Sequence, residues 1–476
     1  MEQYFTHGHH INYYTCVVTS AFYIRRAPGS NTNPDPPASH QSLKSLIYSA
    51  LHNLIPQHPM LSVTIVYEHP SKPYFSALTK VGLDKIVHIL PLERDIDEIV
   101  QEVICQDFRQ QIQAGGPCWR VVVVRGVVDK ISGFWVVFAF HHALSDGLGG
   151  FVIHKDLLQS LNNGGLDLGS PISPTVEVQT PKQLTPAMEQ IHKLSLGLGY
   201  LLKAIRDEYL PFITTPPSNL WICGDPGNSL YFLPPPAGLR TELLTLRIPT
   251  EVMRGVLTET KEKRTRVTPL LEAILSLAFL EAFPQCDNIR ISIVISVRRW
   301  LTKQLEPNGG ADNVFGLYVT QISQDFTMAA FDLSKPLPSI YSEAQRARET
   351  IDTVLRSYGK NTEGGLLPFV WNLDSHFKRK IGQRRVYSLE LSNVGVFKTG
   401  AVPSKDKWDI ADVRFSQSAY VTGAAVECNI VSLDSGAMAL GFTWQEGIMS
   451  KEAMKKVLQR VRVLLESVGR RGVVTK

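Results

Sequence analysis

The hydrophobic residues of the chain follow two spacings. Short runs of β-branched and aromatic residues are typical of strands, whereas apolar residues three and four positions apart are typical of helices. The two kinds of segment mix without a strict β-α-β order, and hairpins are indicated near the C-terminus. The pattern therefore predicts an α/β protein with mixed sheets rather than a doubly wound parallel sheet.

The predicted elements cover most of the chain. The predicted strands are 11–24, 61–67, 87–91, 119–128, 131–140, 240–248, 289–297, 315–322, 385–391, 412–418, 420–433 and 438–443. The predicted helices are 42–54, 96–112, one following Gly147, 186–207, 249–260, 268–283, 337–358, 366–379 and 450–468.

A proline-rich stretch interrupts these elements near the middle of the chain. Residues 210–236 contain too many prolines for one continuous helix or strand. We interpret the stretch as a linker between an N-terminal lobe, residues 1–209, and a C-terminal lobe, residues 237–476.

Two adjacent histidines follow an apolar strand in the N-terminal half. The run 134–140 predicts a buried strand, His141 and His142 leave its end, and Asp146 precedes a turn at Gly147. A neutral imidazole held at a strand end suits proton transfer, because its pKa lies near working pH. Asp146 could orient His142 as part of a triad or pair with an arginine elsewhere. The spacing alone does not decide between these two roles.

Composition narrows the class of protein. A length of 476 residues, 44% hydrophobic and 20% charged residues describe an ordinary globular protein of two or three domains. The net charge of +5 does not imply a nucleic-acid partner. No zinc pattern, phosphate loop or dinucleotide fingerprint is present, which disfavours a nucleotidyl enzyme.

The location is predicted from two negative observations. The chain has no apolar signal peptide and no long apolar run for a membrane span, so we expect a cytoplasmic protein. The six cysteines lie far apart and are predicted to be buried free thiols in a reducing compartment. They are Cys16, Cys105, Cys118, Cys223, Cys286 and Cys428.

Three histidines occur within the first ten residues, at His7, His9 and His10. No cysteine or carboxylate accompanies them at ligand spacing, so we predict a packed or solvated terminal segment and no metal site.

Several motifs, in order along the chain, carry a family resemblance. The sequence His141-His142-x-x-x-Asp146-Gly147 resembles the signature of the CoA-dependent acyltransferase superfamily, which includes chloramphenicol acetyltransferase, plant His-x-x-x-Asp acyltransferases and condensation domains. The whole chain is most similar to the fungal alcohol O-acetyltransferase family. The further motifs are His58-Pro59-x-Leu61, Pro73-Tyr74-Phe75, Val297-Arg298, Phe315-Gly316-x-Tyr318, Ser392-Asn393-x-Gly395 and Trp444-Gln445-Glu446-Gly447.

The resemblance implies a fold and a reaction. It implies two chloramphenicol-acetyltransferase-like lobes with the reactive groups in a tunnel where they meet. His142 corresponds to the general base, which deprotonates an alcohol that attacks acetyl-CoA or another acyl-CoA directly. No acyl-enzyme is implied, and acyl-CoA is a co-substrate rather than a bound cofactor. The matching aspartate in the superfamily usually pairs with an arginine, for which Arg298 is the first candidate and Arg299 the second.

The resemblance also suggests supporting residues. Ser392, Asn393 and the backbone near Gly395 are expected to end a strand and to stabilise the oxyanion, and Gly395 would admit a pantetheine arm. A basic bridge, defined as Lys261, Lys263, Arg264 and Arg266, is a candidate for the CoA phosphates, although a solvated charge run explains it equally well.

Two other functions fit the same motif. A freestanding condensation-type enzyme would take acyl groups from a carrier protein, but no carrier domain is evident. A scaffold that binds ligands or guides a cyclisation would keep the tunnel without acyl transfer. Neither the acceptor alcohol nor the oligomeric state follows from the sequence.

Overall fold

The structure is a computed structural model, and it describes residues 1–25, 40–67, 72–91, 94–163, 172–179, 183–209, 219–223, 233–235, 238–400 and 407–474. Its strands are β1 (Val17–Arg25), β2 (Val63–Val66), β3 (Tyr74–Ala77), β4 (Lys80–Gly82), β5 (Val87–Ile89), β6 (Trp119–Val128), β7 (Ile131–Phe140), β8 (Thr175–Glu177), β9 (Thr241–Ile248), β10 (Asn288–Ser296), β11 (Val319–Thr327), β12 (Leu389–Phe397), β13 (Trp408–Gln417), β14 (Val426–Leu433) and β15 (Met438–Gln445). Its helices are α1 (Glu2–His10), α2 (His40–Leu54), α3 (Ile96–Ile104), α4 (Arg109–Gln113), α5 (Gly147–Asn163), α6 (Met188–Ile191), α7 (Leu198–Tyr209), α8 (Thr250–Glu262), α9 (Val267–Ala282), α10 (Pro336–Arg356), α11 (Leu373–Lys380) and α12 (Lys451–Val474).

The first large sheet has five strands in the order β13-β1-β7-β6-β5. All neighbours are antiparallel except β5 and β6. One face packs on α2 and α5, through residues such as Phe138 and Leu157. The opposite face packs on α3, through Trp135, Val137 and Val103. Burial on both faces explains why β7 is continuously apolar rather than alternating.

The second large sheet has six strands in the order β11-β10-β12-β14-β15-β9. Alternate residues of its central strands, such as Ile291, Leu389 and Cys428, form one core with α8, α9, α10 and α12. The residues between them, such as Glu390 and Glu427, point to the opposite face because side chains alternate along a strand. That opposite face contributes to the cavity described below.

One strand of the C-terminal half belongs to the first sheet. β13 pairs with β1 along its length, from Val17 opposite Gln417 to Arg25 opposite Trp408. β13 also lies close to β14 of the second sheet. The C-terminal half therefore contributes one strand, β13, to the first sheet, in addition to the packing contacts between the two halves. The prediction of an α/β fold with mixed sheets is confirmed.

The structure differs from the prediction at residues 96–112 and at the N-terminus. The predicted helix 96–112 is two helices, because the Asp107 carboxylate accepts the Arg109 backbone N–H and starts α4 anew. The Arg120 guanidinium donates to the Gln106 and Asp107 carbonyls at the break. The N-terminal residues, for which no element was predicted, form α1, in which His7 and His9 are buried.

The remaining predictions concern the linker, the cysteines, metals and membranes. Most of 210–236 lies outside the described residues, so the lobe boundaries stay a prediction. All six cysteines lie in the described part of the chain, and none of them forms a disulfide. Within the described ranges, no group of histidine, cysteine and acidic side chains is arranged to hold a metal ion. No helix in those ranges is both long and apolar enough to span a membrane.

Candidate active site

His142 lies just beyond the C-terminal end of β7, at the seam between the two halves. Its Nδ1 is 2.9 Å from the Ser145 carbonyl oxygen. A carbonyl only accepts hydrogen bonds, so Nδ1 must carry the ring proton and donate it. In the neutral ring, Nε2 then carries the basic lone pair. The turn that follows β7 thus fixes both the direction and the tautomer of the imidazole.

Two aromatic rings cover His142. The Phe5 ring from α1 stacks on it, with ring centroids 3.8 Å apart and 26° between the planes. The Tyr14 ring lies 5.7 Å away between centroids. Burial lowers the pKa of His142, and its hydrogen bond to the Ser145 carbonyl opposes the shift without cancelling it. The imidazole is therefore neutral at neutral pH, as a general base requires.

His141 points to a different environment. Its Nδ1 accepts the Ala143 backbone N–H at 3.0 Å. The ring lies 4.5 Å from the His9 ring between centroids, and it is almost completely buried. Burial lowers its pKa well below the usual range, with His9 and His142 adding to the shift. In this arrangement His141 holds the turn together, and it is not among the residues that line the cavity.

Asp146 does not orient His142. One carboxylate oxygen accepts hydrogen bonds from Arg298 Nη2 at 2.8 Å and from the Gly149 backbone N–H at 2.9 Å. The other accepts the Tyr318 backbone N–H at 3.0 Å. Of the two roles that the sequence left open, pairing with an arginine is the one present. Asp146 caps the start of α5 and ties the motif to the C-terminal half.

Arg298 is fixed in turn by backbone carbonyls. Its Nη1 donates to the Ala311 and Val314 oxygens at 2.8 and 2.9 Å, and its Nη2 donates to the Gly316 oxygen at 2.8 Å. The side chain is buried together with Asp146. Arg299, the second candidate, is exposed. The motifs around residues 297 and 315 therefore meet the histidine motif at one buried ion pair.

Position 147 needs a glycine because a side chain would not fit there, and not because the backbone adopts a conformation that only glycine tolerates. A Cβ atom at this position would lie 2.4 Å from the Phe415 ring and 3.0 Å from the Val394 side chain. Both distances are shorter than ordinary van der Waals contact. The absence of a side chain lets the start of α5 touch β12 and β13, which brings His142 to the second sheet.

A cavity of about 1250 Å³, which we call the interlobe cavity, opens beside His142. It is lined from the N-terminal half by α1, β1 and the histidine turn, and from the C-terminal half by β10, β11, β12, β13 and β14. Residues from both halves include Phe5, Tyr14, His142, Ser392, Phe415 and Glu427. The volume is sufficient for a small organic molecule that accepts an acyl group, together with part of the molecule that donates it.

The predicted oxyanion residues lie inside a strand and do not end one. β12 continues to Phe397, and a register shift against β14 between Asn393 and Val396 marks a bulge. Gly395 occupies the bulge with a φ of 80°, a conformation that glycine adopts without strain. The expectation of a strand end was wrong because the bulge lets the chain turn without ending the ladder.

The bulge also determines which donors are available. The Asn393 amide oxygen accepts the Gly395 backbone N–H at 2.8 Å, and its Nδ2 donates to Thr268 Oγ1 at 3.0 Å. The Gly395 N–H is therefore already used. Ser392 lines the interlobe cavity and carries a hydroxyl donor there. A Cβ atom at Gly395 would meet no atom within 4 Å, so space remains over this backbone.

The basic bridge lies at the turn between α8 and α9 and outside the interlobe cavity lining. Lys263 is close to Glu259 and lies over the Tyr341 ring, and Arg266 pairs with Asp352 at 3.4 Å. The turn leads into Thr268, which touches Asn393. A second group of cations lines the cavity wall at α7 and α11, namely Lys203, Arg206, Arg379 and Lys380, and Arg384 follows α11.

Sequence reasoning missed two groups of cavity residues. Phe5 and Tyr14 carried no signal, because they reach His142 only through the packing of α1 and β1. Glu390 and Glu427 did carry one, since each is a carboxylate inside an otherwise apolar strand segment. Charged residues are rarely buried without a reason.

Comparison with protein families matches residues 1–168 and 234–464 to the alcohol acetyltransferase family. This chain belongs to the alcohol acetyltransferase family. "Probable alcohol acetyltransferase crmB" of Aspergillus fumigatus is 26% identical and covers 97% of each chain. "Probable alcohol acetyltransferase FCK4" of Fusarium pseudograminearum is 22% identical over 90% of this chain and 88% of the relative. The resemblance indicated by the sequence motifs is confirmed, and the protein is an acyltransferase.

Solved structures with low sequence identity show the fold. TRI3 trichothecene 15-O-acetyltransferase from Fusarium sporotrichioides is 13% identical with a TM-score of 0.72, covering 98% of this chain and 94% of that chain. The condensation domain from monacolin K polyketide synthase MokA is 11% identical with a TM-score of 0.56, covering 98% and 95%. This chain therefore has the two-lobed fold of the chloramphenicol acetyltransferase kind.

Proposed function

We propose that this acyltransferase moves an acetyl group from acetyl-CoA to the hydroxyl of a small-molecule alcohol, with His142 as general base. The observation that carries the proposal is the hydrogen bond from His142 Nδ1 to the Ser145 carbonyl. It leaves Nε2 as the basic atom of a buried, neutral ring that lines the interlobe cavity. An acyl-CoA co-substrate is what this family generally uses.

The reaction is a direct displacement. His142 Nε2 takes the proton of the acceptor hydroxyl as its oxygen bonds to the thioester carbonyl carbon. The tetrahedral intermediate then collapses, the C–S bond breaks, and the imidazolium returns its proton to the leaving CoA sulfur. Ser392 is the candidate donor to the oxyanion, because its hydroxyl lies on the cavity wall. A positioned base typically contributes about 10²–10⁴ in rate.

Asp146, Arg298, His141 and Gly147 support this reaction by holding His142 in place rather than by exchanging protons with the substrate. The ion pair holds the turn against the second half, and Gly147 permits the close contact with β13. Asn393 has a similar role, since its amide braces the β12 bulge next to Ser392. These are positioning residues for the imidazole and the oxyanion donor.

The first experiment measures thiol release from acetyl-CoA with a panel of alcohols. The His142→Ala variant should lose about 10²–10⁴ in kcat/KM, and thermal melting checks that it is folded at the assay temperature. His88→Ala, a change at an exposed histidine on β5, is the matched control and should keep full activity. Equal activity of His142→Ala and the parent would exclude the proposed base. Acyl-carrier protein offered against acyl-CoA separates this function from a condensation-type enzyme.

The basic bridge is our candidate for the CoA phosphates. The support is its position at the turn that leads to Thr268 and the β12 bulge, where Gly395 leaves open space for a pantetheine arm. Lys263, Arg264 and Arg266 are the residues of the bridge proposed to act. The cations on α7 and α11 form the alternative site, because they line the interlobe cavity directly.

Acetyl-pantetheine distinguishes the two sites, since it lacks the nucleotide phosphates. Changing Lys263, Arg264 and Arg266 to glutamate should raise the KM for acetyl-CoA about tenfold or more and leave acetyl-pantetheine unaffected. The same selective effect from Arg206→Glu with Arg379→Glu, and not from the bridge variant, would move the phosphate site to α7 and α11. A cytoplasmic location, supported by six unbridged cysteines, is part of the proposal.

A further inference from the structure

Two carboxyl side chains face each other on the cavity side of the second sheet. Glu390 on β12 and Glu427 on β14 are partners in the parallel ladder. Their neighbours along the strands, Leu389, Leu391 and Cys428, point to the core on the opposite face. Both carboxyl groups line the interlobe cavity.

Glu427 is buried without a donor. Its side chain is 2% exposed, and no N–H or O–H group of the described residues donates to either of its oxygens. From outside the pair Glu390 receives one hydrogen bond, from Gln417 Nε2 at 3.2 Å, and within the pair it accepts the proton that Glu427 carries. A buried carboxyl group normally has several donors, because losing water without replacement is costly. The pair therefore has unused capacity to accept hydrogen bonds.

Glu363 shows what a satisfied carboxyl group looks like in the same cavity wall. One of its oxygens accepts from Tyr387 OH at 2.7 Å, and the other accepts from Gln321 Nε2 at 2.8 Å. Glu363 is half-buried and lines the same cavity. The lack of hydrogen-bond donors is therefore specific to Glu390 and Glu427, since another carboxyl group in the cavity wall has a donor at each oxygen.

The pair lies close to the proposed base. Tyr14 OH donates to Gln417 Oε1 at 3.0 Å, and Gln417 donates in turn to Glu390. The Tyr14 ring contacts the His142 ring. Two side chains, Gln417 and Tyr14, therefore connect the carboxyl pair to the imidazole, which is compatible with one small molecule touching both.

Protonation supports the same interpretation. Burial raises the pKa of Glu390 to about 7 and, together with repulsion from Glu390, raises that of Glu427 well above the usual range. Arg385 opposes the shift at Glu427, but its Nη1 donates to the Gly423 and Ala424 carbonyls. The other titratable groups that interact with the pair on its own face are Glu363, Tyr14 and Tyr420, which are acidic or neutral.

We infer that Glu390 and Glu427 bind a positively charged nitrogen of the acceptor, so that the acceptor is an amino alcohol or another alcohol carrying a basic group. This inference rests on the proposed function, which places the acceptor hydroxyl at His142. An ammonium group supplies the N–H donors that Glu427 lacks. Its positive charge also replaces the proton that Glu390 and Glu427 hold between them when no acceptor is bound. Charge-assisted hydrogen bonds of this kind are the strong ones.

The test compares amino alcohols with carbon isosteres in which methyl replaces the ammonium group. The pairs are ethanolamine with propanol, aminopentanol with hexanol, and phenylalaninol with its methyl isostere. Binding is measured by calorimetry without acyl-CoA, in two buffers of different ionisation enthalpy. In at least one pair the amine should bind about tenfold or more tightly, and about one proton should be released on binding.

The variants are Glu390→Gln and Glu427→Gln, with Glu363→Gln as the matched control. Each glutamine variant of the pair should lose the preference for the amine, while Glu363→Gln keeps it. Thermal melting checks that each variant folds, and two variants of the pair guard against one failing to do so. Equal binding of amine and isostere in every pair, or a preference kept in both variants, would overturn the inference.

The experiment tests the proposed carboxyl site and the proposed acetyl transfer independently of each other. Acetyl transfer to the neutral isosteres reports on the proposed function alone. Transfer without any amine preference would reject the carboxyl site and keep the acetyltransferase. An amine preference without transfer to any alcohol would keep the site and reject the proposed reaction.

Discussion

The Phe5 ring lies stacked on the imidazole of His142, with 3.8 Å between their centroids. Phe5 belongs to α1, whereas His142 follows β7, so the contact depends on how α1 packs across the end of the first sheet. The stacked ring removes one face of the imidazole from solvent. Since burial is the main reason for the lowered pKa of His142, Phe5 contributes to keeping the ring neutral.

The Phe5→Ala variant should therefore have an altered pH profile. Exposing the imidazole raises its pKa toward the ordinary value, so that a higher pH is needed to deprotonate the base. The acid limb of kcat/KM should move to higher pH, and Phe5→Leu, which keeps an apolar cover, should move it less. The measurement is thiol release from acetyl-CoA across pH. Coinciding acid limbs in Phe5→Ala and the parent would show that Phe5 does not set this pKa.

The Arg298→Ala variant tests the buried ion pair. Removing the guanidinium leaves the Asp146 carboxylate buried without its charged partner, which typically costs about 3–5 kcal/mol in unfolding free energy. Arg299→Ala, at the exposed neighbouring position, should change it by less than about 0.5 kcal/mol. Urea unfolding measures both. A loss in Arg298→Ala no larger than in Arg299→Ala would mean that the pair does not hold the halves together.

The histidine motif could be predicted because its structure is local. Strand, turn and helix N-terminus follow each other within residues 134–156, so the spacing alone indicates where His142 and Asp146 lie. The partnership with Arg298 came from the family resemblance, and the structure contains it. Local pattern and family motifs together therefore identified one side of the site.

The other side of the site depends on contacts between residues that are far apart in the chain, and such contacts produce no recognisable motif in the sequence. Phe5 reaches His142 only because α1 packs against the histidine turn that follows β7. Glu390 and Glu427 become neighbours only through the register of β12 and β14. The strand end expected at Ser392 was wrong for a similar reason, since a bulge is defined by the partner strand.

A substitution at Gly147 tests whether this position needs a glycine because a side chain would not fit. A Cβ atom there would lie 2.4 Å from the buried Phe415 ring, so Gly147→Ala should destabilise the protein by about 1–3 kcal/mol and lower kcat. Gly199→Ala is the matched change, at an exposed position of α7 where no atom lies within 4 Å. It should stabilise the protein by up to about 1 kcal/mol. Melting temperatures and thiol release measure both variants, and unchanged values for Gly147→Ala would contradict the close packing.

Glu272 on α9 gives a prediction about stability and pH that is independent of the site. It is completely buried, and burial raises its pKa to about 8 while Arg346 weakly opposes the shift. Its Oε2 accepts a hydrogen bond from Gln324 Nε2 at 3.0 Å. Between the unfolded pKa and about pH 8, the folded protein keeps a proton that the unfolded chain releases. The parent therefore loses stability as pH rises through this window.

Glu272→Gln removes the proton requirement and keeps the acceptor for Gln324. At about pH 7 the variant should be more stable than the parent by roughly 3 kcal/mol, and below the unfolded pKa the two should converge. Urea unfolding at about pH 4 and about pH 7 measures the difference. The exposed Glu306→Gln, which removes the same charge, should give nearly the same difference from the parent at both pH values. A Glu272→Gln advantage that is absent, or that grows toward low pH, would mean that the buried carboxyl group is ionised in the folded protein.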